Sequence, residues 1–114
     1  MARVVLHSIL HPGQEEIYEQ KHRRIPEDLA ALFDAVGIHD WTIWRSGLDL
    51  FHLVECDDFV AAMRVVDSDP ANERWQAFIG PCVDRFVTVG EGSAGMLVPQ
   101  VWSLEQQRRS RSET

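Results

Sequence analysis

Strand patterns and helix patterns alternate along this chain in the order βαββαβ, and that order constrains the fold more than any other feature. Residues 3–10 alternate between apolar and polar positions and predict a first strand. Residues 40–45 and 50–56 are rich in β-forming side chains, and the turn between them predicts a hairpin. Residues 96–102 predict a last strand, at the sheet edge or with a bulge because it contains a proline. This order is typical of an α+β, ferredoxin-like fold, in which helices cover one face of an antiparallel sheet.

Helical patterns fill the segments between these strands. A long helix is expected to end at Gly37 and to kink at Pro26, because proline removes the hydrogen bond to the carbonyl four residues earlier. Asp57 or Asp58 is expected to cap a second helix, and Asp69-Pro70 is expected to begin a third. Apolar spacing predicts the buried faces of these two helices: Phe59, Ala62, Met63 and Val66, and then Ala71, Trp75, Phe78 and Ile79.

The predicted hairpin is apolar on both faces of its strands. Bulky residues occupy both alternating sets of positions: Trp41 and Ile43 against Trp44, and Phe51 and Leu53 against Leu50 and Val54. A sheet with one solvated face shows a cleaner alternation of apolar and polar residues. We therefore expect a second copy of the chain to pack sheet to sheet as a two-fold dimer, a dimeric α+β barrel. A monomer with an apolar outer sheet face is the alternative.

Length and charge limit the domain count and the partners. A chain of 114 residues with 45% hydrophobic content predicts one domain, residues 1–104, followed by a disordered polar tail, residues 105–114. A net charge of −7 argues against sequence-independent binding to nucleic acid or to an anionic membrane. We expect no membrane span and no secretory leader, since no apolar run approaches the ~18 residues that a span needs. Two isolated cysteines suit a reducing cytoplasm.

Several motifs exclude classes of chemistry. The run from Gly90 to Gly95 matches G-x-G-x-x-G by letter, but a dinucleotide site needs a helix after it, and a strand is expected there. The five histidines form no H-x-H pair, and the H-x-x-x-H pair of His7 and His11 spans a predicted strand rather than a helix, so we expect no metal site. The chain also contains neither a G-x-S-x-G motif nor a P-loop, which argues against two large enzyme classes.

A polar end to an apolar helical stripe predicts a pocket. Steps of three or four residues back from Ile25 reach His22 and then Tyr18, where apolar side chains would be expected. Pro26 would free the backbone carbonyl of His22 beside the ring. A histidine at a frayed helix end is the alternative.

Aromatic and acidic residues could complete this pocket. Trp75 and either Trp41 or Trp44 would add rings, and Glu55 and Asp57 lie near a strand end. Rings beside hydrogen-bonding groups suit a sugar. Trp75 could equally be a simple core anchor, and His39 a solvated loop residue.

The chain resembles the L-rhamnose mutarotase family from about Val4 to Leu104. Three segments carry the resemblance: residues 15–22, 37–44 and 73–75. The resemblance implies a ferredoxin-like subunit that dimerises through its sheet and exchanges the α and β anomers of a 6-deoxy-hexose without a cofactor. It implies sugar contacts from Tyr18 and His22, with the histidine as acid/base, and from the Arg74-Trp75 pair.

The chain departs from the family pattern in two places. Gln76 replaces the second tryptophan of an Arg-Trp-Trp element, and Arg23 to Leu29 replaces a tryptophan-containing segment, with Pro26 at its centre. These departures change the pocket walls more than the acid/base pair, so L-fucose or another deoxy sugar could replace L-rhamnose. The rival functions are a binding module that holds a ligand unchanged, and a cofactor-free oxygenase or haem-degrading relative on the same fold.

Overall fold

Four antiparallel strands form the sheet, which confirms the ferredoxin-like fold. The computed structural model describes residues 1–113, with side chains described as far as residue 110. The strands are β1 (Ala2–Leu10), β2 (Ile38–Ser46), β3 (Asp49–Cys56) and β4 (Val83–Phe86), and they lie in the order β2-β3-β1-β4. The two central strands pair along their whole length, with Leu6 opposite His52 and Ser8 opposite Leu50.

Helices cover one face of this sheet. They are α1 (Glu15–Lys21), α2 (Glu27–Ala35), α3 (Phe59–Val66) and α4 (Pro70–Ile79), followed by the short α5 (Gly92–Gly95) and by α6 (Leu104–Glu113). Inward-facing side chains of the sheet pack with these helices in two buried clusters, one around Leu10, Tyr18 and Trp75 and one around Leu6, Val54 and Phe59. No described helix has the length and apolar character needed to cross a membrane.

The first crossover contains two helices, so the prediction of one kinked helix was wrong. His22 is the C-cap of α1, and Pro26 is the N-cap of α2. Proline has no N–H to donate, and it disfavours helical backbone in the residue before it. The four residues before Pro26 therefore leave the helix altogether, and His22 stands at a helix end with its side chain toward the sheet.

The predicted last strand was also wrong. The fourth strand lies earlier, at Val83–Phe86, and the chain then makes the helical turn α5. Within residues 96–102, one backbone bond reaches β1, from the Val98 N–H to the Val5 carbonyl (2.8 Å). The expected strand after the glycine run is therefore absent from this described segment. Two of its glycines pack closely, because a Cβ on Gly95 would lie 2.2 Å from the backbone of Gly90.

The helix caps follow the sequence closely. The Asp58 carboxylate accepts from the Ala61 N–H (3.1 Å), and the Asp69 carboxylate accepts from the Ala71 N–H (2.9 Å). The predicted faces are buried except at Met63, which is half-buried, and at Phe78. Phe78 is 49% exposed, and the Lys21 ammonium lies 4.8 Å from its ring centre. Phe78 thus lies at the margin of the buried stripe, under a lysine from α1.

Most of residues 105–114, predicted to be a disordered tail, lie in helix α6, while Thr114 falls outside the described residues. The side chains from Leu104 to Ser110 are all exposed. A helix without a buried face gains little from packing and is marginal at this length in water. Disorder of this segment in solution therefore stays a prediction.

Replacing Gly37 with alanine is expected to destabilise the fold more than replacing Gly13. Both glycines have a positive φ, +82° and +86°, which costs an alanine about 1–2 kcal/mol. At Gly37 a Cβ would also lie 2.6 Å from the Asp57 carboxylate, whereas nothing lies within 4 Å at Gly13. Urea unfolding of Gly37→Ala and Gly13→Ala measures the difference. Equal losses for the two variants would show that the Asp57 contact is immaterial.

Candidate active site

A cavity of about 700 Å³ lies between the sheet and helices α1 to α4. The sheet supplies a tryptophan and a histidine to its wall, and the helices supply aromatic and polar groups. The side chains that matter for chemistry are Tyr18, His22, Phe33, Trp41, His52 and Trp75. A smaller cleft of about 300 Å³ adjoins it and shares Tyr18, His22 and Trp41. The phenol and the imidazole thus stand where the two spaces meet.

Tyr18, His22 and Trp75 form an aromatic group in this cavity. The ring centres of Tyr18 and His22 are 5.3 Å apart, and those of His22 and Trp75 are 5.1 Å apart with the planes nearly perpendicular. Tyr18 and Trp75 are buried and His22 is half-buried. The backbone N–H of His22 donates to the backbone carbonyl of Tyr18 at the end of α1 (2.9 Å), which holds the two residues one helical turn apart.

Burial sets the protonation of this pair in opposite directions. It lowers the pKa of His22 below its ordinary 6.5, because the charged imidazolium is poorly solvated in the cavity. Burial raises the pKa of Tyr18 to about 12. At neutral pH the histidine is therefore an uncharged base and the tyrosine a hydrogen-bond donor. The two side chains can exchange one proton with a bound molecule at the histidine and hold an oxygen at the tyrosine.

His52 is a cavity residue that the sequence reasoning missed. Its Nε2 lies 2.9 Å from the Ser8 hydroxyl, and its Nδ1 accepts from the Trp41 indole N–H (3.1 Å). Burial lowers the pKa of His52 to about 4, helped by the neighbouring His22 and His7. The available signal was its position, because every second residue of a strand faces the same side and His52 lies between the inward-facing Leu50 and Val54 of β3.

Of Trp41 and Trp44, the two tryptophans that the sequence offered for the pocket, Trp41 lies in the cavity wall. Its ring stacks on Phe33 with centres 5.6 Å apart and planes 21° apart. Trp44 is 53% exposed and belongs to the opposite face of the sheet, since the side chains of a strand alternate. Trp41 is therefore the indole that the fold brings to Tyr18 and His22.

Arg74 is not brought to the cavity. Its guanidinium is exposed and pairs with the Asp28 carboxylate, which holds the pKa of Asp28 below its usual range. Successive helical residues point about 100° apart, so the residue before an inward Trp75 faces outward. Gln76 lies in the cavity wall instead, and its amide nitrogen is 3.4 Å from the side-chain oxygen of the buried Asn72.

The three polar residues left open by the sequence take different places. His39 lies in the cavity wall with its side chain partly exposed, and its Nε2 is 2.8 Å from the Asp57 carboxylate. This bond holds the pKa of Asp57 below its usual range. Asp57 itself stands outside the wall, and Glu55 pairs with Arg3 on the other face (3.4 Å). Within the described residues no three His, Cys, Asp or Glu side chains are grouped closely enough to hold a metal ion.

Solved structures share this fold. The L-rhamnose mutarotase of Formosa agariphila superposes with a TM-score of 0.70 at 14% identity, over 91% of this chain and 99% of that one. The tetracenomycin F2 cyclase of Streptomyces glaucescens gives 0.66 at 17%, over 90% and 96%. A putative antibiotic biosynthesis monooxygenase from Bordetella bronchiseptica gives 0.57 at 17%, over 73% and 85%. Identities this low show a shared fold and do not assign a reaction.

The sequence comparisons are more specific. No curated protein sequence is similar enough to count as a relative. The sequence model of the L-rhamnose mutarotase family, by contrast, matches residues 3–104, which is nearly the whole chain and includes every cavity residue described above. On this match the chain belongs to the L-rhamnose mutarotase family, a family of sugar isomerases.

Proposed function

We propose that this protein interconverts the α and β anomers of a 6-deoxy-hexose, most favourably L-rhamnose, with His22 as general acid and base. The observation that carries the proposal is a half-buried, neutral His22 between Tyr18 and Trp75 in a cavity that can hold a sugar. General acid/base catalysis is most effective when the catalytic group has a pKa near the working pH. Burial lowers the pKa of His22 from its ordinary 6.5, so at neutral pH the imidazole is the free base that can accept a proton.

The reaction needs two proton movements and no cofactor. Neutral His22 would remove the proton from the anomeric hydroxyl and return it to the ring oxygen as the bond from C1 to that oxygen breaks. The open aldehyde then rotates about the C1–C2 bond, and the reverse steps close the ring with the other configuration. Tyr18 stays protonated at neutral pH because of its raised pKa, so it would donate a hydrogen bond to a sugar oxygen.

The aromatic rings support binding of a sugar face. Trp75 and Trp41 approach the cavity from opposite sides, one from α4 and one from the sheet. The C–H groups of a pyranose pack well on indole rings. Asn72 and Gln76 at the same wall would meet hydroxyl groups.

Arg74→Ala is expected to leave the KM for the sugar unchanged, whereas Trp75→Ala is expected to raise it. The reason is position, because Trp75 lies in the cavity wall and Arg74 pairs with Asp28 on the outside of α4. Steady-state anomerisation rates of the two neighbouring variants measure this difference. A raised KM in folded Arg74→Ala would return Arg74 to the binding site.

We propose also that two copies pack sheet to sheet in a cytoplasmic homodimer. Val5, Trp44 and Phe51 are exposed on the sheet face away from the helices, and Trp44 lies directly opposite Phe51 in the strand register. A contiguous apolar surface of this kind is typical of a protein interface. Cys56 and Cys82 are free, buried thiols, in keeping with a reducing compartment. Sedimentation equilibrium distinguishes the dimer from a monomer.

NMR saturation transfer between the anomeric protons of L-rhamnose, repeated with L-fucose, tests the proposed activity. Exchange faster than in buffer is expected with L-rhamnose, and the comparison ranks the two sugars. Saturable binding without faster exchange would instead identify a binding module. Loss of the sugar with uptake of oxygen would identify an oxygenase.

A further inference from the structure

Three side chains from three neighbouring strands form one hydrogen-bonded chain on the inner face of the sheet. Trp41 of β2 donates its indole N–H to Nδ1 of His52 on β3, and Nε2 of His52 meets the Ser8 hydroxyl on β1. Ser8 is completely buried, and His52 is 4% exposed. Both ring nitrogens of the histidine are thus used by the protein itself, although its ring lies in the cavity wall.

The hydrogen-bond partners of His52 determine which of its ring nitrogens carries the proton. An indole N–H can only donate, so Nδ1 must be an unprotonated acceptor. The proton of the neutral imidazole is therefore on Nε2, where it donates to the Ser8 oxygen. A doubly protonated ring would set an N–H against the indole N–H and break the first bond. The chain of bonds runs in one direction, from Trp41 through His52 to Ser8.

This arrangement acts on the orientation of Trp41. One face of the Trp41 ring stacks on Phe33, and the indole N–H is held by His52. Stacking on Phe33 restrains the plane of the ring, and the hydrogen bond to His52 fixes the direction of its N–H edge. An apolar residue at position 52 would pack against the sheet equally well and would supply no such bond. The buried imidazole of His52 is therefore explained by the hydrogen bond that it accepts from Trp41.

We propose that His52 is a positioning residue for sugar binding, which holds the Trp41 ring at the orientation that a bound pyranose contacts. This inference rests on the proposed function, in which Trp41 contacts the sugar. His52 need not touch the sugar or exchange a proton with it. Ser8 has a supporting role, because it satisfies the buried Nε2–H and so keeps the acceptor at Nδ1.

Two variants of matched polarity separate the two bonds of His52. Asparagine places an oxygen near the position of Nδ1 and can still accept from Trp41. Glutamine reaches the position of Nε2 and keeps the contact with Ser8, but it loses the acceptor near Trp41. His52→Gln is therefore expected to raise the KM for L-rhamnose by about three- to tenfold, the effect of one neutral hydrogen bond. His52→Asn is expected to stay closer to wild type.

The KM effect should appear without a change in kcat and should depend on Trp41. A ring that contacts the sugar equally in the ground state and the transition state changes KM alone. In a Trp41→Phe background, which lacks the indole donor, His52→Gln is expected to cause no further loss. An equal loss in both backgrounds, or equal KM values for the Asn and Gln variants, would overturn the proposal.

Indole hydrogen exchange in the wild-type protein supplies a test that needs no variant. The Trp41 indole N–H is expected to exchange much more slowly than that of the exposed Trp44. Similar rates for the two indoles would overturn the role of His52 even if its variants fail to fold.

Failure of the proposed function can be distinguished from failure of this inference. If the wild-type protein does not speed anomer exchange, the proposed function fails. L-Rhamnose affinity from NMR titration of the same variants then decides the inference, and absence of any sugar binding overturns both.

Discussion

Replacing His22 with alanine is expected to reduce the enzyme-dependent rate of anomer exchange by about 10²–10⁴-fold, the usual contribution of one positioned acid/base group. The physical reason is that, among the described residues, His22 is the histidine whose ring contacts Tyr18. His52 uses both of its nitrogens for Trp41 and Ser8. His39 has its Nε2 2.8 Å from the Asp57 carboxylate. Saturation transfer between the anomeric protons measures the rate.

Tyr18→Phe and His11→Ala provide the comparison for that result. Tyr18→Phe removes one donor and should cost about tenfold or less, the effect of one hydrogen bond. His11 is an exposed histidine outside the cavity wall, so His11→Ala should keep the wild-type rate. A folded His22→Ala protein with the full rate would rule out His22 as the acid/base. Circular dichroism establishes that each variant is folded.

The rate should also depend on pH in a direction set by His22. In the proposed mechanism its base form is the active one, and burial places its pKa below 6.5. The rate is therefore expected to hold as the pH falls to 6.5 and to drop only at lower pH. A drop centred above 6.5 would contradict a desolvated histidine.

Acidification from pH 6.5 toward pH 4 is expected to lower the free energy of unfolding by roughly 3 kcal/mol through His52 alone. The unfolded chain binds a proton at His52 near pH 6.5, while the folded protein resists protonation until about pH 4. Between these values the unfolded state carries more protons, so stability rises with pH. The contribution of His52 to the free energy of unfolding is fully present above pH 6.5 and is lost as the pH falls from 6.5 toward 4.

Other titrating groups also change the free energy of unfolding as the pH falls. His22 lines the same cavity as His52 and has a lowered pKa, so it adds a loss of the same sign. His7 lies on the outer face of β1 and contributes to the shift of His52. Asp28 and Asp57 have pKa values below 3.8, so their losses begin at lower pH. The window between pH 6.5 and 4 thus reports mainly the two cavity histidines.

Urea unfolding at several pH values between 4 and 7 measures this loss, with His52→Gln as the matched variant. Glutamine does not titrate and keeps the contact with Ser8, so its stability should change much less with pH, whatever its absolute value. His22→Ala separates the contribution of the second histidine. An unchanged slope in His52→Gln would show that His52 is not the group that resists protonation.

Much of the fold follows from local chemistry in the sequence. Asp58 and Asp69 cap helices where an aspartate precedes an apolar helical stripe. The hairpin turn follows from Gly47, whose φ is +61° between β2 and β3. The segment before Pro26 shows where such local reasoning fails, because one kinked helix was predicted and two separate helices are present. Proline indicated a disturbance of the helix, but whether the chain kinks or breaks depends on what the following residues pack against.

The sequence by itself determined the first three strands, the helices capped by Asp58 and Asp69, and the pairing of Tyr18 with His22. These features depend on backbone preferences and on spacing within one helix or strand, which neighbouring residues control. Only the tertiary structure decided that Arg74 faces outward, that Val83 begins the fourth strand, and that Trp41, His52 and Ser8 meet. The last three lie on separate strands, and their contact depends on strand register and on side-chain direction across the sheet. Such contacts arise from long-range packing, which no local pattern specifies.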